Sequence, residues 1–469
     1  MNKFFSNDYL VNQKLYVKKC SDILKDSYKL NKPLFFVHSY GCQGNVSEGE
    51  KIEGILNEIG YEKCCDEKIA DVVILNTCAI REKAQDKVFS ALGNILNHKK
   101  LQKNKIVAIC GCMVQQKHII EKIEKKFPSV DLVFGPHVIH KLPEFLYNLL
   151  SKTNKKLIDI TDKEVVEEEI PIFRNNKIKA LVPISYGCNN FCSYCIVPYV
   201  KGRERSRDFE TILKEVKILI EKGYKEITLL GQNVNSYGLD LNIKDGFLNL
   251  LYEINKLDGK FKIRFMTSHP KDFTKELIDM IAQCDKVCKH FHLPVQSGCD
   301  KILKAMNRKY CIKDYLKIVE YAKEKIKNCT LTTDIIVGFP GETYEDFKQT
   351  MDLIKRVEYI YIFNFIFSKR VGTRAEKMQD LVSKKEKVKW LQELIDLQNE
   401  ISYIKNKTYE NEIEEVLFED LSKTDDGLMV GKTDGNILVC CEKDESKLYD
   451  FAKVKIEKAS RTMLKAKII

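Results

Sequence analysis

The amino-acid sequence predicts an α/β protein with three domains: an N-terminal doubly wound parallel-sheet domain, a central partial (β/α)6 barrel, and a small C-terminal antiparallel β-barrel. The 469 residues exceed what one hydrophobic core usually holds, since domains typically have about 100–200 residues. Over most of the chain, short apolar runs alternate with helical stretches, which is typical of a parallel sheet. Near the end, short apolar runs are joined by Asp-Gly turns instead, the pattern of antiparallel β-structure.

The N-terminal domain is predicted over residues 33–150, after a polar, basic extension (residues 1–32) without strong periodicity. Its strands are the apolar runs in "PLFFVHSYGC", "ADVVILNTC", "NKIVAICGC" and "VDLVFG". One intervening helix is evident in "REKAQDKVFSALGNIL", where Ala84, Val88, Leu92 and Ile95 share one face that we expect to pack on the sheet. The pattern is lost between about residues 152 and 172, which indicates the first boundary.

The barrel is predicted over residues 174–404, where a strand-like run precedes a helical stretch six times. The runs lie in "ALVPISYG", "EITLLGQN", "KIRFMTS", "HFHLPVQS", "TTDIIVGF" and "YIFNFIF". Six units, rather than the eight of a closed barrel, favour an open barrel with its site at the C-terminal ends of the strands. The last domain, residues 407–469, contains the strand-like runs "EVLFEDL", "GLMVGKT", "NILVCC" and "FAKVKIEKAS".

Composition and charge narrow the class of protein. Hydrophobic residues make up 44% and charged residues 31%, which is ordinary for a soluble globular protein. No run approaches the ~20 apolar residues of a membrane span, and "MNKFFSNDYLVNQKLYVKKC" lacks the apolar stretch of a signal peptide. We therefore expect a cytoplasmic protein without a membrane partner. The net charge of +11 fits a polyanionic partner such as RNA, and equally fits a low-GC genome whose codons favour lysine.

The 17 cysteines indicate metal binding, because an odd number in a reducing compartment does not suit a disulfide framework. Cys188, Cys192 and Cys195 form a C-x-x-x-C-x-x-C pattern directly after the first barrel strand. Zinc prefers four ligands, whereas a [4Fe–4S] cluster held by three cysteines leaves one iron open. S-Adenosylmethionine can chelate that iron, and an electron from the cluster then cleaves the cofactor to a 5′-deoxyadenosyl radical. We predict such a cluster here; the alternative is a chance spacing of structural cysteines.

A second group of cysteines follows successive strands of the N-terminal domain: Cys42, Cys78 and Cys112. Strand ends at one edge of a doubly wound sheet share a crevice, so these thiolates can converge and hold another cubane cluster. On the residues alone, ordinary buried cysteines explain the pattern equally well. Cys110 is the main competitor for the third position, although strand alternation points it into the core.

Two sets of residues after barrel strands are candidates for holding the cofactor. Gly231, Gln232 and Asn233 follow the second strand, and Gly338 follows the fifth. Glycine allows close backbone approach to a ligand, but turn formation explains each glycine equally well.

Candidate RNA contacts lie in two basic segments. Arg203 and Arg205, in "GRERSR", are placed to meet RNA phosphate or the cofactor carboxylate, with a solvated basic loop as the alternative. Lys453 and Lys455 begin a basic stretch in the last domain that would provide a phosphate-binding edge.

"GCNNFCSYCIVPYVKGRERSR" resembles the cluster loop of radical S-adenosylmethionine enzymes, specifically of the methylthiotransferase family. "LLGQNVNSYG", "TSHPKDF", "HLPVQSGCDKILKAMNRKY" and "DIIVGFPGET" also resemble that family, and the resemblance runs from about residue 33 to the end. It implies that the barrel is a radical S-adenosylmethionine core and that Cys42, Cys78 and Cys112 bind a second [4Fe–4S] cluster. It also implies that residues 407–469 are a TRAM domain, a small β-barrel that grips RNA.

The motifs favour the branch of the family that acts on tRNA, at C2 of N6-isopentenyladenosine next to the anticodon. The resemblance implies two S-adenosylmethionine molecules, one donating a methyl group to sulfur at the N-terminal cluster and one supplying the radical that activates C2. It implies a flavodoxin- or ferredoxin-type electron donor and a sulfur donor, and we expect a monomer. The rivals are methylthiotransferases for threonylcarbamoyladenosine in tRNA or for a ribosomal-protein aspartate. An alternative of a different class is a non-catalytic iron–sulfur RNA-binding protein.

The sequence departs from the family pattern at three places. Gly44 stands for Met in "CQMN", Cys299 stands for Ser in "SGSD", and residues 368–375 read "SKRVGTRA" rather than "SPREGTPA". None of these changes removes a predicted cluster ligand, and we expect the last to affect substrate contacts or activity.

Overall fold

The computed structural model describes residues 7–29, 31–80, 82–100, 102, 104–161, 166, 168–425 and 427–469, without the side chains of residues 7–11 and 82–84. The chain forms two compact units. The first comprises residues 1–175, 185–189 and 195–207, and the second residues 176–184, 190–194 and 208–469. No helix in the described ranges combines the length and the apolar character needed to cross a bilayer.

The first unit is built on a six-stranded sheet in which every pair of neighbours is parallel, as predicted. Its elements up to residue 159 are α1 (Asn7–Ser27), β1 (Leu34–Ser39), α2 (Gln43–Ile59), β2 (Glu62–Lys63), β3 (Val72–Thr77), α3 (Glu82–Lys99), β4 (Ile106–Gly111), α4 (Lys117–Lys126), β5 (Leu132–Phe134), α5 (Leu142–Leu150) and β6 (Leu157–Asp159). The strand order is β2-β1-β3-β4-β5-β6.

Helices cover both faces of this sheet. On one face, Leu56 of α2 and Leu146 of α5 pack against the alternate strand residues Ile74 and Ala108. On the other face, α3 contributes its predicted apolar stripe, Val88, Leu92 and Ile95. The side chain of Ala84, predicted in that stripe, lies outside the described residues. Two separate cores on one parallel sheet are the doubly wound arrangement that was predicted.

The N-terminal extension differs from the expectation of an aperiodic segment. It forms α1, and Cys20 and Leu24 of this helix belong to the buried core beside α2 and α5. The Tyr16 ring lies 5.5 Å from the Tyr147 ring of α5, measured between centroids. The apolar positions 17, 20, 24 and 28 keep a helical spacing that polar neighbours obscure in the sequence.

The predicted open (β/α)6 barrel is present in the second unit. It starts with β7 (Lys179–Pro183). The next three elements belong to the first unit: β8 (Ser185–Tyr186), α6 (Val197–Val200) and β9 (Arg205–Ser206). The barrel then continues with α7 (Phe209–Glu221), β10 (Glu226–Leu230), α8 (Gly246–Lys256), β11 (Lys262–Met266), α9 (Lys275–Gln283), β12 (His290–His292), α10 (Asp300–Ala305), α11 (Ile312–Lys325), β13 (Thr330–Val337), α12 (Tyr344–Val357), β14 (Tyr361–Ile366) and α13 (Lys384–Lys407).

The six barrel strands pair in parallel as two groups of three, β7-β10-β11 and β12-β13-β14. An isolated bridge between Ile263 of β11 and Val287, which precedes β12, links the two groups. Alternate strand residues such as Ile227, Leu331 and Ile335 pack outward against the helices. The opposite face of the strands therefore lines the barrel interior.

The C-terminal segment closes into a five-stranded barrel. Its strands are β15 (Ile413–Leu421), β16 (Leu428–Thr433), β17 (Leu438–Glu442), β18 (Phe451–Ala459) and β19 (Leu464–Ile468). The four predicted runs are β15 to β18, and β19 was not predicted. The pairing of β17 with β19 is parallel, whereas the other four pairings are antiparallel.

Candidate active site

Cys42, Cys78 and Cys112 come together at the carboxyl ends of the first sheet. Cys42 caps the start of α2, Cys78 directly follows β3, and Cys112 directly follows β4. The Cys78 thiol donates a hydrogen bond to Cys42, which lowers the pKa of Cys42 to about 5 and raises that of Cys78. Burial raises the pKa of Cys112 to about 12. A Cβ at Gly41 would lie 2.5 Å from the Cys78 Cβ, so glycine is needed for this approach.

Lys201 places a buried positive charge beside these thiols. Its Nζ lies 2.8 Å from the Glu48 Oε1, and Lys201 is only 8% exposed. A Cβ at Gly44 would lie 3.5 Å from the Cys42 Sγ and 3.7 Å from the Lys201 Nζ. Burial alone would lower the pKa of Lys201, but attraction to the ionised forms of Cys112, Glu48 and Cys42 outweighs it and raises that pKa well above its usual value. This lysine was not singled out in the sequence, where it is one of 78 basic residues.

Three neighbouring thiols are the donor set of a cubane cluster, in which each cysteine binds a different iron atom. Among the described residues, no three His, Cys, Asp or Glu side chains are close enough to chelate a single metal ion. A cubane cluster does not require that convergence, because each cysteine binds a different iron of the cluster. The group thus fits a [4Fe–4S] cluster with one iron left for an outside ligand.

Cys110 does not compete with Cys112 for this position. Its side chain is fully buried in the core with Phe35 and Ile74, as strand alternation predicted. Cys112 instead packs against Ala79, Ile196 and Val200 at the strand ends. Two residues of separation are therefore enough to place one cysteine in the core and the other at the candidate site.

The second cysteine loop begins in the first unit, at a tight turn after β8. The Cys188 N–H donates to the Gly202 carbonyl oxygen over 3.2 Å. Gly187 has φ of 72°, and a Cβ there would lie 2.1 Å from the Arg203 carbonyl oxygen. Only glycine fits this left-handed position. Residues 190–194 then belong to the second unit, and Cys195 is again part of the first.

In the second unit, the segment after α10 holds the middle of the loop. The Arg308 Nη1 donates to the Cys192 Sγ over 3.4 Å. The same guanidinium is fixed by the Pro294 carbonyl oxygen at 2.5 Å and the Tyr310 Oη at 2.9 Å. The Asn307 Nδ2 also donates to the Phe191 carbonyl oxygen over 2.9 Å. Both residues lie in the "NRKY" motif, but their contact with the cysteine loop is not visible in the sequence.

The residues predicted to hold the cofactor differ in their burial and in the groups they contact. Asn233 is buried, and its Nδ2 donates to the Asp272 Oδ2 over 2.7 Å. The Gly231 N–H donates to the Met266 carbonyl oxygen, and Gln232 is half-buried. Gly338 has φ of 71°, and a Cβ there would lie 2.5 Å from the Lys387 Cδ.

The close approach at Gly338 is thus made by a lysine of α13. A side chain of the protein itself therefore explains the need for glycine at this position, and the role of Gly338 in holding a cofactor stays a prediction.

The predicted RNA contacts also divide into buried and exposed residues. Arg205 is 2% exposed, and its Nη1 donates to the carbonyl oxygens of Lys201 and Arg203 over 3.1 and 2.9 Å. This burial corrects the prediction that Arg205 meets RNA phosphate. Arg203, Lys453 and Lys455 are exposed, as a phosphate contact requires.

Lys453 and Lys455 belong to a basic face of the C-terminal barrel. Lys455 lies opposite Lys467 across the β18–β19 pair, and Lys458 lies opposite Lys465. All five lysines of this face are exposed. Like charges on neighbouring strands repel each other, so these two lysine pairs favour an anionic partner, whereas Lys453 lies opposite Glu415 of β15.

Three family models match the chain: the Radical SAM superfamily at residues 182–354, uncharacterized protein family UPF0004 at residues 34–135, and the TRAM domain at residues 407–469. A curated tRNA-2-methylthio-N(6)-dimethylallyladenosine synthase from Clostridium botulinum (strain Loch Maree / Type A3) is 50% identical over 427 residues, 91% of this chain and 95% of the relative. One of the same name from Thermoanaerobacter pseudethanolicus is 45% identical over 467 residues, 99% of each chain. The chain belongs to the tRNA-2-methylthio-N(6)-dimethylallyladenosine synthase family. This confirms the predicted resemblance.

Solved structures support the fold assigned to this synthase-family chain. The radical S-adenosylmethionine methyltransferase TsrM from Kitasatospora setae aligns with a TM-score of 0.54 at 13% identity, covering 74% of this chain and 77% of that one. The cobalamin-dependent S-adenosylmethionine radical enzyme OxsB aligns with a TM-score of 0.52, also at 13% identity, covering 78% of this chain and 57% of that one. The predicted fold class is confirmed.

The departures of this synthase-family chain from the family pattern lie at exposed positions in residues 368–375 and at a buried position, Cys299. In "SKRVGTRA" the altered positions Lys369, Val371 and Arg374 are all exposed. The unaltered Ala375 is buried, and its N–H donates to the Ser193 carbonyl oxygen of the cysteine loop over 2.8 Å. Cys299 is buried at the start of α10, with its Sγ 3.3 Å from the Asp346 Oδ1. The changed side chains of residues 368–375 therefore lie on the surface.

Proposed function

We propose that this protein is a tRNA methylthiotransferase that converts N6-isopentenyladenosine, next to the anticodon, into its 2-methylthio derivative. The observation that carries the proposal is the convergence of Cys42, Cys78 and Cys112 at the strand ends, in a family whose curated members have the synthase name. A second three-cysteine pattern, Cys188, Cys192 and Cys195, supports a second open cluster. Members of this radical S-adenosylmethionine family use [4Fe–4S] clusters and S-adenosylmethionine, as predicted.

The residues of this chain have separate tasks in the proposed reaction. When bound, the clusters and S-adenosylmethionine supply the radical and the activated sulfur that an unreactive aromatic carbon requires. Cys188, Cys192 and Cys195 hold the cluster that binds S-adenosylmethionine. Arg308 fixes the Cys192 thiolate and compensates its charge.

At the N-terminal site, Cys42, Cys78 and Cys112 are the proposed ligands. The Lys201 ammonium balances negative charge in this buried group, and Glu48 orients the lysine. The basic face of the C-terminal barrel binds tRNA phosphates, which positions the anticodon loop without reading its sequence.

The proposed domains are a methylthiotransferase domain at residues 33–150, whose core and sheet are extended by α1 and β6, a radical S-adenosylmethionine core at residues 174–404 and a TRAM domain at residues 407–469. The reaction also needs a flavodoxin- or ferredoxin-type electron donor and a sulfur donor. We place it in the cytoplasm, where tRNA is modified, and assign a monomer.

The test is a reconstitution under reducing, oxygen-free conditions with tRNA that carries isopentenyladenosine. Mass spectrometry of the digested tRNA reads the nucleosides, and chromatography reads 5′-deoxyadenosine. Cys192→Ala is expected to abolish both 5′-deoxyadenosine and 2-methylthio-isopentenyladenosine. Cys78→Ala is expected to abolish the methylthio product and retain 5′-deoxyadenosine, because it removes only the N-terminal cluster.

Cys110→Ala is the matched control, since it removes a buried thiol that does not face the site. It is expected to retain both products and the iron content of the unaltered protein. Modification of threonylcarbamoyladenosine or of a ribosomal-protein aspartate would assign one of the rival substrates instead. A protein that never forms 5′-deoxyadenosine would be the non-catalytic iron–sulfur protein.

A further inference from the structure

Strand β14 carries three exposed aromatic side chains in a row. Tyr361, Phe363 and Phe365 occupy alternate positions and are 50%, 41% and 44% exposed. The rings of Tyr361 and Phe363 meet edge to face, with centroids 5.0 Å apart. Contiguous exposed apolar side chains of this size mark binding surfaces in soluble proteins. Nothing in the roles described so far uses this row.

The row faces the interior of the barrel. Ile362, between two of its members, is buried with the helices in the outer core. Phe363 and His292 of β12 contact each other across β13, with ring centroids 5.6 Å apart. The two residues therefore lie on the same inward face of the sheet.

Polar groups accompany the rings on that face. Asp334 is the register partner of Phe363, and the His292 Nε2 lies 3.6 Å from the Asp334 Oδ1. The face thus combines flat apolar rings with a hydrogen-bond donor and acceptor pair. That combination suits a planar heterocycle, which stacks on aromatic rings and presents polar atoms at its edge.

The charges on this face favour an uncharged base. The inward residues of β12, β13 and β14 are all described, and none is Lys or Arg: His290, His292, Thr330, Thr332, Asp334, Ile336, Tyr361, Phe363 and Phe365. The positive charges of Arg264 and Lys432 act on His290 at the start of β12, whereas the charged group beside the aromatic rings is the Asp334 carboxylate. A threonylcarbamoyl group or an aspartate substrate carries a carboxylate, which Asp334 would repel. An isopentenyl group is neutral and apolar, and gains from contact with phenyl rings.

We propose that Tyr361, Phe363 and Phe365, with His292 and Asp334, form the subsite that binds the target adenine and its N6-isopentenyl group. The inference rests on the proposed function and adds the residues that select its substrate. The rings receive the base and the isopentenyl group, and His292 and Asp334 hydrogen-bond the edge of the base. Phosphate contacts elsewhere supply affinity that does not depend on the modification.

The test measures binding of two fluorescent anticodon stem-loops by anisotropy, using the full reconstituted chain without oxygen. One stem-loop carries isopentenyladenosine and the other carries plain adenosine at the same position. The unaltered protein is expected to prefer the isopentenylated loop by about tenfold or more, as expected for several buried methyl and methylene groups. Phe363→Ala and Phe365→Ala are expected to reduce that preference at least fivefold, while affinity for the plain loop stays within about twofold.

Tyr252→Ala is the matched control, because Tyr252 is also about half-exposed but lies on helix α8. It is expected to retain the full preference. A third stem-loop with threonylcarbamoyladenosine should bind no better than the plain one, and Asp334→Asn should improve its binding.

The outcomes separate the two proposals. If the unaltered protein does not prefer the isopentenylated loop, or prefers the threonylcarbamoyl loop, the proposed function is wrong. If the unaltered protein discriminates and both phenylalanine variants retain the full preference with normal 5′-deoxyadenosine formation, the function stands and the subsite is overturned. Loss of affinity for all three loops together would also overturn it, since a base-binding subsite changes preference rather than general RNA affinity.

Discussion

Replacing Lys201 by Gln should lower the reduction potential of the N-terminal cluster. The Lys201 Nζ and the Cys42 Sγ both lie within 4 Å of the point where a Cβ at Gly44 would stand, so they are less than 8 Å apart. Reduction adds one negative charge, which a nearby ammonium stabilises. At about 7 Å and an effective dielectric constant of about 20, two unit charges interact by about 2.4 kcal/mol, which corresponds to about 100 mV for one electron.

Glu48 provides a variant with the opposite expected sign. Glu48→Gln removes the carboxylate that lies 2.8 Å from the Lys201 ammonium and should raise the reduction potential. The rise should be smaller than the fall caused by Lys201→Gln, because the carboxylate is on the side of the ion pair away from the cluster. The double variant should lie between the two. Removal of one member of a buried ion pair also costs about 3–5 kcal/mol of stability, and removal of both costs much less. The double variant should therefore unfold at higher temperature than Lys201→Gln.

The assay is a redox titration followed by electron paramagnetic resonance, in a Cys192→Ala background that leaves only the N-terminal cluster. Lys63→Gln is the control, because Lys63 pairs with Glu53 and Asn175 instead. It should leave the potential unchanged. If Lys201→Gln and Glu48→Gln shift the potential in the same direction, or neither shifts it by more than about 20 mV, the proposed electrostatic role of Lys201 is refuted.

Three further outcomes are expected. Arg308→Met should reduce the iron bound by the Cys188–Cys195 loop and abolish formation of 5′-deoxyadenosine. Arg308→Lys should restore only part of the iron and activity, because an ammonium cannot span the three contacts of Arg308. Full iron content and activity in Arg308→Met would contradict this. Gly187→Ala should destabilise the protein by at least about 2 kcal/mol in thermal unfolding. The loss should exceed that of Gly223→Ala, because Gly223 has φ of 87° but open space where a Cβ would stand. Equal losses would show that the Arg203 carbonyl moves to make room for the new Cβ. Burial raises the pKa of Glu342 from 4.5 to about 7, so in this range the folded state binds a proton that the unfolded state has lost. The free energy of unfolding should therefore fall as pH rises from about 4.5 to 7. In melting experiments at several pH values Glu342→Gln should flatten that dependence, and an unchanged slope would exclude Glu342 as its source.

The sequence pattern predicts the architecture well because buried parallel strands are nearly continuous apolar runs. All four N-terminal runs and all six barrel runs are strands. Helix α1 and strands β2, β6 and β19 were not predicted, and β6 lies within residues 152–172, where a boundary was expected. Helix α1 and strand β19 share a reason: Lys and polar residues separate their few buried positions. In "LKAKI" apolar and basic residues alternate as a strand requires, but only Leu464 and Ala466 are buried. A short alternating segment rich in lysine resembles a polar tail until its partner strands are known.

The cysteines of the candidate site could be predicted because metal ligands impose a spacing and a position at strand ends. Lys201 and Arg308 could not, because their importance comes from burial and from partners distant in sequence, Glu48 and Cys192. Arg205 was predicted to lie at the surface because its burial also depends on contacts that the sequence does not show. The pairing of β8 with β9 turns its guanidinium onto backbone carbonyls, and nothing in "GRERSR" distinguishes it from the exposed Arg203.

The way in which the chain passes between the two units sets a limit on dissecting this protein. Residues 185–189 and 195–207 belong to the first unit, although they follow the start of the barrel at residue 176. A fragment that ends at residue 175 would contain Cys42, Cys78 and Cys112 but lack Lys201 and the apolar cover from Ile196 and Val200. Expression of that fragment would therefore give an N-terminal cluster site with altered charge and packing. Point variants in the whole chain, rather than truncation, are the suitable means to study one cluster without the other.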